Sequence, residues 1–153
     1  MEELKEGNAA PNFTAKNQNG DQVSLTDFRG KDVILYFYPK DDTPGCTAES
    51  CDFRDNYQNL TSQGFEVIGV SVDDEKSHQK FVNKYELPFT LLADVDKQIV
   101  TDYGVWGEKN LYGKKYMGTL RKTFVIDKEG KIRKIIDKVD TKNSSQQVLD
   151  AIK

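Results

Sequence analysis

The sequence predicts an α/β sandwich in which a central sheet is covered by helices on both faces. Two observations carry this prediction. Apolar runs with the length of buried strands alternate with segments that place apolar residues at helical spacing. The chain of 153 residues also has the length of one domain. A domain of this size buries roughly 68–70% of the surface of its unfolded chain. We therefore expect residues 1–153 to form one self-sufficient domain.

The N-terminal part predicts a β-hairpin followed by a helical turn. Two short extended stretches within residues 12–24 flank Asn19-Gly20, a strong hairpin signal. Residues 24–28 have the length of one helical turn, and Gly30 closes it.

A βαβ unit is predicted next. Residues 33–38, V-I-L-Y-F-Y, are apolar on both faces, which is typical of a strand buried inside a sheet. Residues 65–72, F-E-V-I-G-V-S-V, repeat that character. Between these strands, apolar residues at helical spacing predict a helix over residues 46–63. The crossover is expected to be right-handed.

The remaining chain adds strands, helices and a terminal hairpin. Helices are predicted at residues 75–85, 98–103 and 144–152, and strands at residues 89–93, 123–127 and 132–137. A turn at Glu129-Gly130 joins the last two strands. A parallel pair followed by a hairpin and a closing helix describes a three-layer sandwich of thioredoxin type, with a mixed central sheet and an N-terminal hairpin.

Composition and charge argue against several classes of partner. The formal net charge of −3 provides no basic field that would gather nucleic acid. The N-terminus lacks the positive start and apolar stretch of a secretory signal. The longest apolar run, residues 33–38, is far shorter than the roughly 20 residues that span a bilayer. We expect a cytoplasmic protein that binds neither nucleic acid nor membranes.

Cys46 lies in the most informative stretch, Y-P-K-D-D-T-P-G-C over residues 38–46, between a buried strand and a helix. Ligands of open α/β folds usually bind at such junctions. In the first turn of the helix, unpaired N–H groups and the helix dipole favour an anion such as a thiolate. A small, inert, buried cysteine is the alternative interpretation.

Pro39, Thr43 and Cys46 form the pattern P-x-x-x-T-x-x-C, which resembles the active-site motif of peroxiredoxins. The longer string Y-P-K-D-D-T-P-G-C-T-A-E-S-C is similar to the bacterioferritin-comigratory, or Q-type, subfamily. The similarity extends to residues 103–109 and 121–127. This resemblance implies a thiol peroxidase that reduces hydrogen peroxide and organic hydroperoxides in cell redox homeostasis.

The resemblance also implies a role for each residue of the site. Cys46 attacks the peroxide and becomes a sulfenic acid, while Thr43 hydrogen-bonds the peroxide. Pro39 shields the thiolate, Arg121 supplies a fixed cation, and Glu49 helps to hold that arginine. From the residues alone, simpler roles remain open as alternatives: Pro39 as a strand end, Thr43 as a helix cap, Arg121 as a surface charge and Glu49 as a solvated helical glutamate.

Cys51 follows Cys46 by five residues, and the resemblance implies that it resolves the sulfenic acid as an intramolecular disulfide. On an ideal helix this spacing separates the Cα atoms by roughly 8.7 Å. A disulfide needs Cα atoms within about 7 Å. If the bond forms, the helix must unwind. A thioredoxin-like dithiol is the expected reductant, and relatives of this type are often monomers.

Other chemistries fit less well. The single histidine, His78, sits among polar residues of a helix predicted to be exposed, which disfavours a Cys-His hydrolase. Two cysteines and one remote histidine fall short of the roughly four ligands of a zinc site. The C-x-x-C of a thioredoxin-like reductase and the C-x-x-x-C-P of a copper-delivery protein are both absent. A redox-inert scaffold leaves the motif unexplained. We expect no cofactor or metal, and we interpret Trp106 as packing or as a wall of the cleft.

Overall fold

The computed structural model describes residues 4–152. Its strands are β1 (Thr14–Asn17), β2 (Gln22–Ser24), β3 (Asp32–Phe37), β4 (Phe65–Ser71), β5 (Thr90–Ala93), β6 (Trp106–Leu111), β7 (Lys114–Thr119), β8 (Lys122–Ile126) and β9 (Ile132–Ile136). Its helices are α1 (Pro44–Asp55), α2 (Tyr57–Ser62), α3 (Glu75–Tyr85), α4 (Gln98–Asp102) and α5 (Ser144–Ala151). A 3₁₀ turn covers Leu25–Phe28.

The central sheet has seven strands in the order β2-β1-β5-β4-β3-β8-β9. Strands β3, β4 and β5 run parallel to one another. The hairpin β1–β2 and the hairpin β8–β9 flank them in antiparallel pairing. The predicted mixed sheet and N-terminal hairpin are therefore confirmed. Strands β6 and β7 form a separate two-stranded ribbon.

Side chains along β3 alternate between two apolar cores, as the pleat of a strand requires. Val33, Leu35 and Phe37 face a core that includes α4 and the 3₁₀ turn. Ile34 and Tyr36 face a second core that includes residues of α1, α2, α3 and α5. A strand buried on both faces explains why this run is apolar at every position, and the helices on both faces complete the predicted three-layer sandwich.

Most element boundaries agree with the prediction to within one or two residues, the range over which helix and strand ends vary. The helix predicted over residues 46–63 is wrong in one respect: α1 ends at Asp55 and α2 begins at Tyr57. The break lies at Asn56, whose side-chain amide donates to the Asp52 carbonyl oxygen at 2.8 Å. The Asn56 N–H also donates to this carbonyl at 3.2 Å, so the break is a local departure from helical dihedral angles, with φ of −108° and ψ of 6°.

The ribbon β6–β7 was absent from the sequence prediction. Residues 114–117 of β7 are all exposed, so no apolar alternation marks the strand. The turn has φ of 52° at Tyr112 and 79° at Gly113. Two successive residues with positive φ form the tight turn that suits a hairpin. The only local signal was therefore the glycine.

His78 is fully buried, which corrects the prediction of an exposed position. With Phe81, Val82 and Tyr85 it follows the i, i+3, i+4, i+7 spacing of one helix face. That face of α3 meets the core, although the neighbouring residues in sequence are polar. Over residues 4–152, no helix has the length and apolar character needed to cross a bilayer.

Candidate active site

Cys46 is the third residue of α1 and is fully buried. Pro44 occupies the first helical position, where its missing N–H costs nothing and its fixed φ suits the helix. The Thr47 N–H donates to the Thr43 carbonyl at 2.8 Å. The N–H groups of Gly45 and Cys46 therefore precede the hydrogen-bonded ladder and have no partner within the helix. The sulfur lies where backbone donors and the helix dipole favour a negative charge.

Arg121 brings a cation to this sulfur. Its Nη2 donates to Cys46 Sγ at 3.3 Å, although the two residues are 75 positions apart. Arg121 directly precedes β8, and β8 pairs with β3 so that Lys122 lies opposite Phe37. That register places the arginine beside the carboxyl end of β3, close to the start of α1.

Glu49 holds the other side of the guanidinium. Arg121 Nη1 donates to Glu49 Oε1 at 3.1 Å, and Ser144 Oγ donates to Glu49 Oε2 at 3.3 Å. The carboxyl group is completely buried. Burial raises the pKa of Glu49 to about 7, and the Arg121 charge and hydrogen bond oppose that rise. One guanidinium thus serves two acidic groups, the Cys46 thiol and the Glu49 carboxyl.

The loop before α1 contributes the remaining predicted residues. Thr43 is the N-cap residue, yet its hydroxyl donates to the Lys40 carbonyl at 2.8 Å rather than capping the helix. Its oxygen therefore retains lone pairs that can accept a hydrogen bond. Pro39 is half-buried in the same loop. A Cβ atom at Gly45 would lie 3.1 Å from Arg121 Nη2, so glycine leaves room for the guanidinium.

Cys51 is half-buried on the same helix, and both cysteines are free thiols. Burial raises the pKa of Cys51, and the charge of Arg54 only partly offsets this effect. Between the two cysteines, Ser50 is fully buried, and its hydroxyl shares a 2.8 Å hydrogen bond with that of Tyr36. The structure therefore shows a reduced state with an intact helix between the thiols.

Two further residues of the site escaped the sequence analysis. Ser144, at the start of α5, contacts Glu49, and a serine at a helix start carries no signal of that contact. Lys109 of β6 donates to the Thr119 carbonyl at 3.0 Å. Burial and the charge of Arg121 lower the pKa of Lys109, while Cys46 acts in the opposite direction. A second cation therefore lies near the site, on the ribbon that the sequence did not predict.

Asp41, Asp73 and His78 form the group whose side chains could hold a metal ion, with their ligand atoms within 4.8 Å of one another. Their hydrogen bonds account for the cluster without an ion. His78 Nδ1 lies 2.7 Å from Asp41 Oδ2, and Asp73 Oδ2 accepts from the Asp41 backbone and from the Ser71 hydroxyl. The cluster therefore fastens the loop that leads to Cys46.

Comparisons with known proteins agree with the geometry. The family model described as AhpC/TSA matches residues 7–135. Peroxiredoxin Bcp of Escherichia coli strain K12 is 46% identical over 153 residues, which cover 100% of this chain and 98% of the relative.

Solved structures show the same likeness. The bacterioferritin comigratory protein of Xanthomonas campestris is 35% identical with a TM-score of 0.85, over 92% of this chain and 89% of that one. Its structures are described as giving insight into alkyl peroxide reduction activity. A PrxQ variant of Xylella fastidiosa is 28% identical with a TM-score of 0.91, over 98% of this chain and 96% of that one.

Proposed function

Since the chain belongs to the AhpC/TSA family, as a peroxiredoxin of the bacterioferritin-comigratory or Q type, and is a thiol peroxidase, we propose that Cys46 is the thiolate that attacks the peroxide. The observation that carries this assignment is the 3.3 Å hydrogen bond from Arg121 Nη2 to Cys46 Sγ. A cation and a helix N-terminus together stabilise the thiolate, which is the reactive form of cysteine.

The first chemical step transfers one oxygen atom. The Cys46 thiolate attacks a peroxide oxygen in line with the O–O bond, an S–O bond forms, and hydroxide or alkoxide leaves. The leaving oxygen takes up a proton to give water or an alcohol, and Cys46 becomes a sulfenic acid. Arg121 and the N–H groups of Gly45 and Cys46 stabilise negative charge on the peroxide oxygens. Thr43 Oγ1 accepts a hydrogen bond from the bound peroxide, and Pro39 restricts access of water.

The second step closes an intramolecular disulfide. The Cys51 thiol attacks the sulfenic sulfur, water leaves, and a Cys46–Cys51 bond forms. Both residues lie on the continuous helix α1, where five positions separate Cα atoms by roughly 8.7 Å, beyond the reach of a disulfide. The helix must unwind locally. Because burial raises the pKa of Cys51, unwinding also exposes this thiol so that it ionises more readily.

A thiol reductant completes the cycle by reducing the disulfide, and we propose a thioredoxin-like dithiol for this step. Hydrogen peroxide and organic hydroperoxides are the proposed substrates. The alkyl peroxide reduction described for the Xanthomonas campestris relative supports the second class. Both substrates place the protein in antioxidant defence.

The assignment of Cys46 is tested by Cys46→Ser, with Cys51→Ser as the matched control. We expect the first variant to consume no peroxide, because a hydroxyl does not ionise at neutral pH. The second should complete one fast turnover and then stop as a sulfenic acid, which excess peroxide converts to sulfinic acid.

Mass spectrometry after one equivalent of peroxide distinguishes disulfide formation from oxygen addition. The wild type should lose two hydrogens through the disulfide, and Cys51→Ser should gain oxygen. Substantial turnover by Cys46→Ser contradicts the assignment.

A further inference from the structure

We propose that His78 is a positioning residue for the peroxidase reaction: as a buried imidazolium paired with Asp41, it holds the active-site loop, residues 38–43, in its working position. This inference rests on the proposed function, because the active-site loop carries Pro39 and Thr43 and leads into the helix of Cys46. His78 lies on α3, outside the group of residues that surround the sulfur.

The hydrogen-bond partners of His78 indicate which of its ring nitrogens carry hydrogen. Nε2 lies 2.8 Å from the Leu92 carbonyl oxygen, which only accepts, so Nε2 carries a hydrogen. Nδ1 lies 2.7 Å from Asp41 Oδ2. The Asp41 carboxyl also accepts from the Tyr38 hydroxyl at 2.6 Å and from the Ser77 hydroxyl at 2.8 Å. Both Asp41 oxygens thus already accept hydroxyl hydrogens, and a hydrogen on Nδ1 completes the same pattern at Oδ2, so we assign a hydrogen to both ring nitrogens.

The charges around His78 favour the imidazolium. The titratable groups that face it are Asp41 in the active-site loop, Asp73 after β4, and Tyr38 after β3, while β5 presents only the Leu92 carbonyl. Burial opposes the charge, but the hydrogen bond and the charge of Asp41 raise the pKa of His78 above its ordinary value. The His78–Asp41 pair therefore stabilises the fold fully at pH values below the ordinary pKa of histidine. This stabilisation is lost as the pH rises through the raised pKa of His78.

The pair acts on the site through the backbone of the active-site loop. Asp41 is fixed at its side chain by His78 and at its N–H by Asp73, at 2.9 Å. The carbonyl of its neighbour Lys40 accepts the Thr43 hydroxyl, so a shift of Asp41 moves Thr43, the residue at the N-cap position of α1. A second tether, the ion pair of Asp42 with Lys84, is exposed on both sides and supplies a matched comparison.

Nitrogen NMR tests the charge state without reference to activity. The chain contains one histidine, so every imidazole signal of the reduced wild type belongs to His78. We expect both ring nitrogens to carry hydrogen at neutral pH and a single titration at higher pH. A neutral ring at neutral pH overturns the proposal.

The first-turnover rate with hydrogen peroxide tests the positioning role. After correction for the thiolate fraction, the wild-type rate should fall at alkaline pH with the midpoint seen for His78 by NMR. We expect His78→Asn, whose amide donates to Asp41 at every pH, to lose that fall and to react about tenfold more slowly, because a small misplacement is costly to rate. Lys84→Met should stay within about twofold of the wild type, since exposed ion pairs are weak.

In the rate experiment, the proposal is contradicted by a wild-type rate with no alkaline fall at the His78 midpoint, or by a His78→Asn variant that retains the wild-type rate and pH profile. The first of these needs no variant, so it stands even if His78→Asn fails to fold. If the wild type does not react with peroxide at all, the proposed function of Cys46 fails separately. In that case, amide exchange of residues 40–43, measured at pH values below and above the His78 midpoint, tests whether the His78–Asp41 pair holds the loop. Faster exchange above the midpoint supports the proposal, and unchanged exchange overturns it.

Discussion

The guanidinium of Arg121 donates to the Cys46 sulfur at 3.3 Å and to the Glu49 carboxylate at 3.1 Å. The N-terminus of α1 also faces this sulfur, and a helix dipole stabilises an anion by about 0.3–1 kcal/mol at the surface and up to about 2 kcal/mol in partly buried sites. The arginine adds a full, hydrogen-bonded charge beside the same sulfur.

Arg121→Ala should consequently slow peroxide reduction at neutral pH by about tenfold or more, which peroxide consumption measures. Arg133→Ala is the matched control. Arg133 lies on β9, away from Cys46, and forms a long ion pair with Asp32 at 3.7 Å. That variant should react like the wild type. An unchanged rate in Arg121→Ala would remove this arginine from the site.

The raised pKa of Glu49 makes the free energy of unfolding depend on pH. Its folded pKa of about 7 lies above the ordinary value of 4.5, so the folded chain retains a proton that the unfolded chain has lost. The free energy of unfolding therefore declines as pH rises between these values and stays low above them. Glu49→Gln should remove this decline, so its stability relative to the wild type should be higher at pH ~8 than at pH ~5, by at most about 3 kcal/mol.

Urea unfolding at pH ~5 and pH ~8 measures the effect. The matched control is Glu129→Gln on an exposed turn, which should keep the wild-type pH dependence. The expectation is wrong if the advantage of Glu49→Gln over the wild type is the same at both pH values.

Single residues also show where sequence reasoning reaches its limit. Pro39, Thr43 and Cys46 lie within one short stretch of the chain, residues 39–46, so a motif identifies them. Arg121 meets Cys46 only because β8 pairs with β3, and the sequence contains no direct record of strand order. His78 was misjudged because its polar neighbours outweighed a helical spacing that placed it on the apolar face.

At the scale of elements, α1 has two roles that conflict. As a helix it presents Cys46 at its N-terminus, and in the proposed mechanism it must open so that Cys46 and Cys51 can form a disulfide. The residues that must move include Glu49 and Ser50, both fully buried. The C-terminal part of α1 is held by Asp52, whose carboxylate accepts the Ser145 N–H at 2.7 Å.

Oxidation by one equivalent of peroxide should therefore accelerate amide exchange in α1 and reduce helical circular dichroism, because helical hydrogen bonds break when the disulfide closes. Strands β3 and β4 should remain protected. Cys51→Ser, oxidised in the same way, is the control and should keep its helix. Equal protection of residues 46–55 in the reduced protein and in the disulfide form contradicts local unwinding.

Periodicity predicted the elements with clear apolar patterns and missed those without them. Helix α3 was predicted with its observed bounds because its apolar residues recur at helical spacing and Leu87-Pro88 follows its end. The ribbon β6–β7 was missed because it is largely exposed. The break between α1 and α2 is a single residue, Asn56, whose φ of −108° and ψ of 6° depart from the helix, and periodicity does not register such a change.

At the scale of the whole molecule, stability depends on close packing where the central parallel strands meet the helices. Gly69 of β4 lies opposite Tyr36 of β3 and Leu91 of β5. A Cβ atom there would lie 2.8 Å from the Tyr36 ring and 2.7 Å from Leu91 Cδ2. Both neighbours are fully buried, so neither has free space to move into.

Gly69→Ala should lower the free energy of unfolding by about 1–3 kcal/mol, through overpacking. Gly107→Ala is the matched control, since its Cβ would meet the partly exposed Leu120 side chain at 3.1 Å, and that side chain has room to turn. Urea unfolding at neutral pH compares the two. Equal losses in both variants, or none in Gly69→Ala, would mean that the core around Tyr36 tolerates the extra methyl group.

The break at Asn56 also bears on solubility during turnover. In the proposed cycle, α2 lies beyond this break and keeps Leu60 buried against the sheet while α1 opens. The opening of α1 then exposes its own apolar face, which includes the fully buried Phe53. An enzyme that unfolds part of itself in every cycle is vulnerable to aggregation whenever the opening spreads. If the opening stays within α1, the burial of Leu60 in α2 limits that spread, and repeated catalysis need not lead to precipitation.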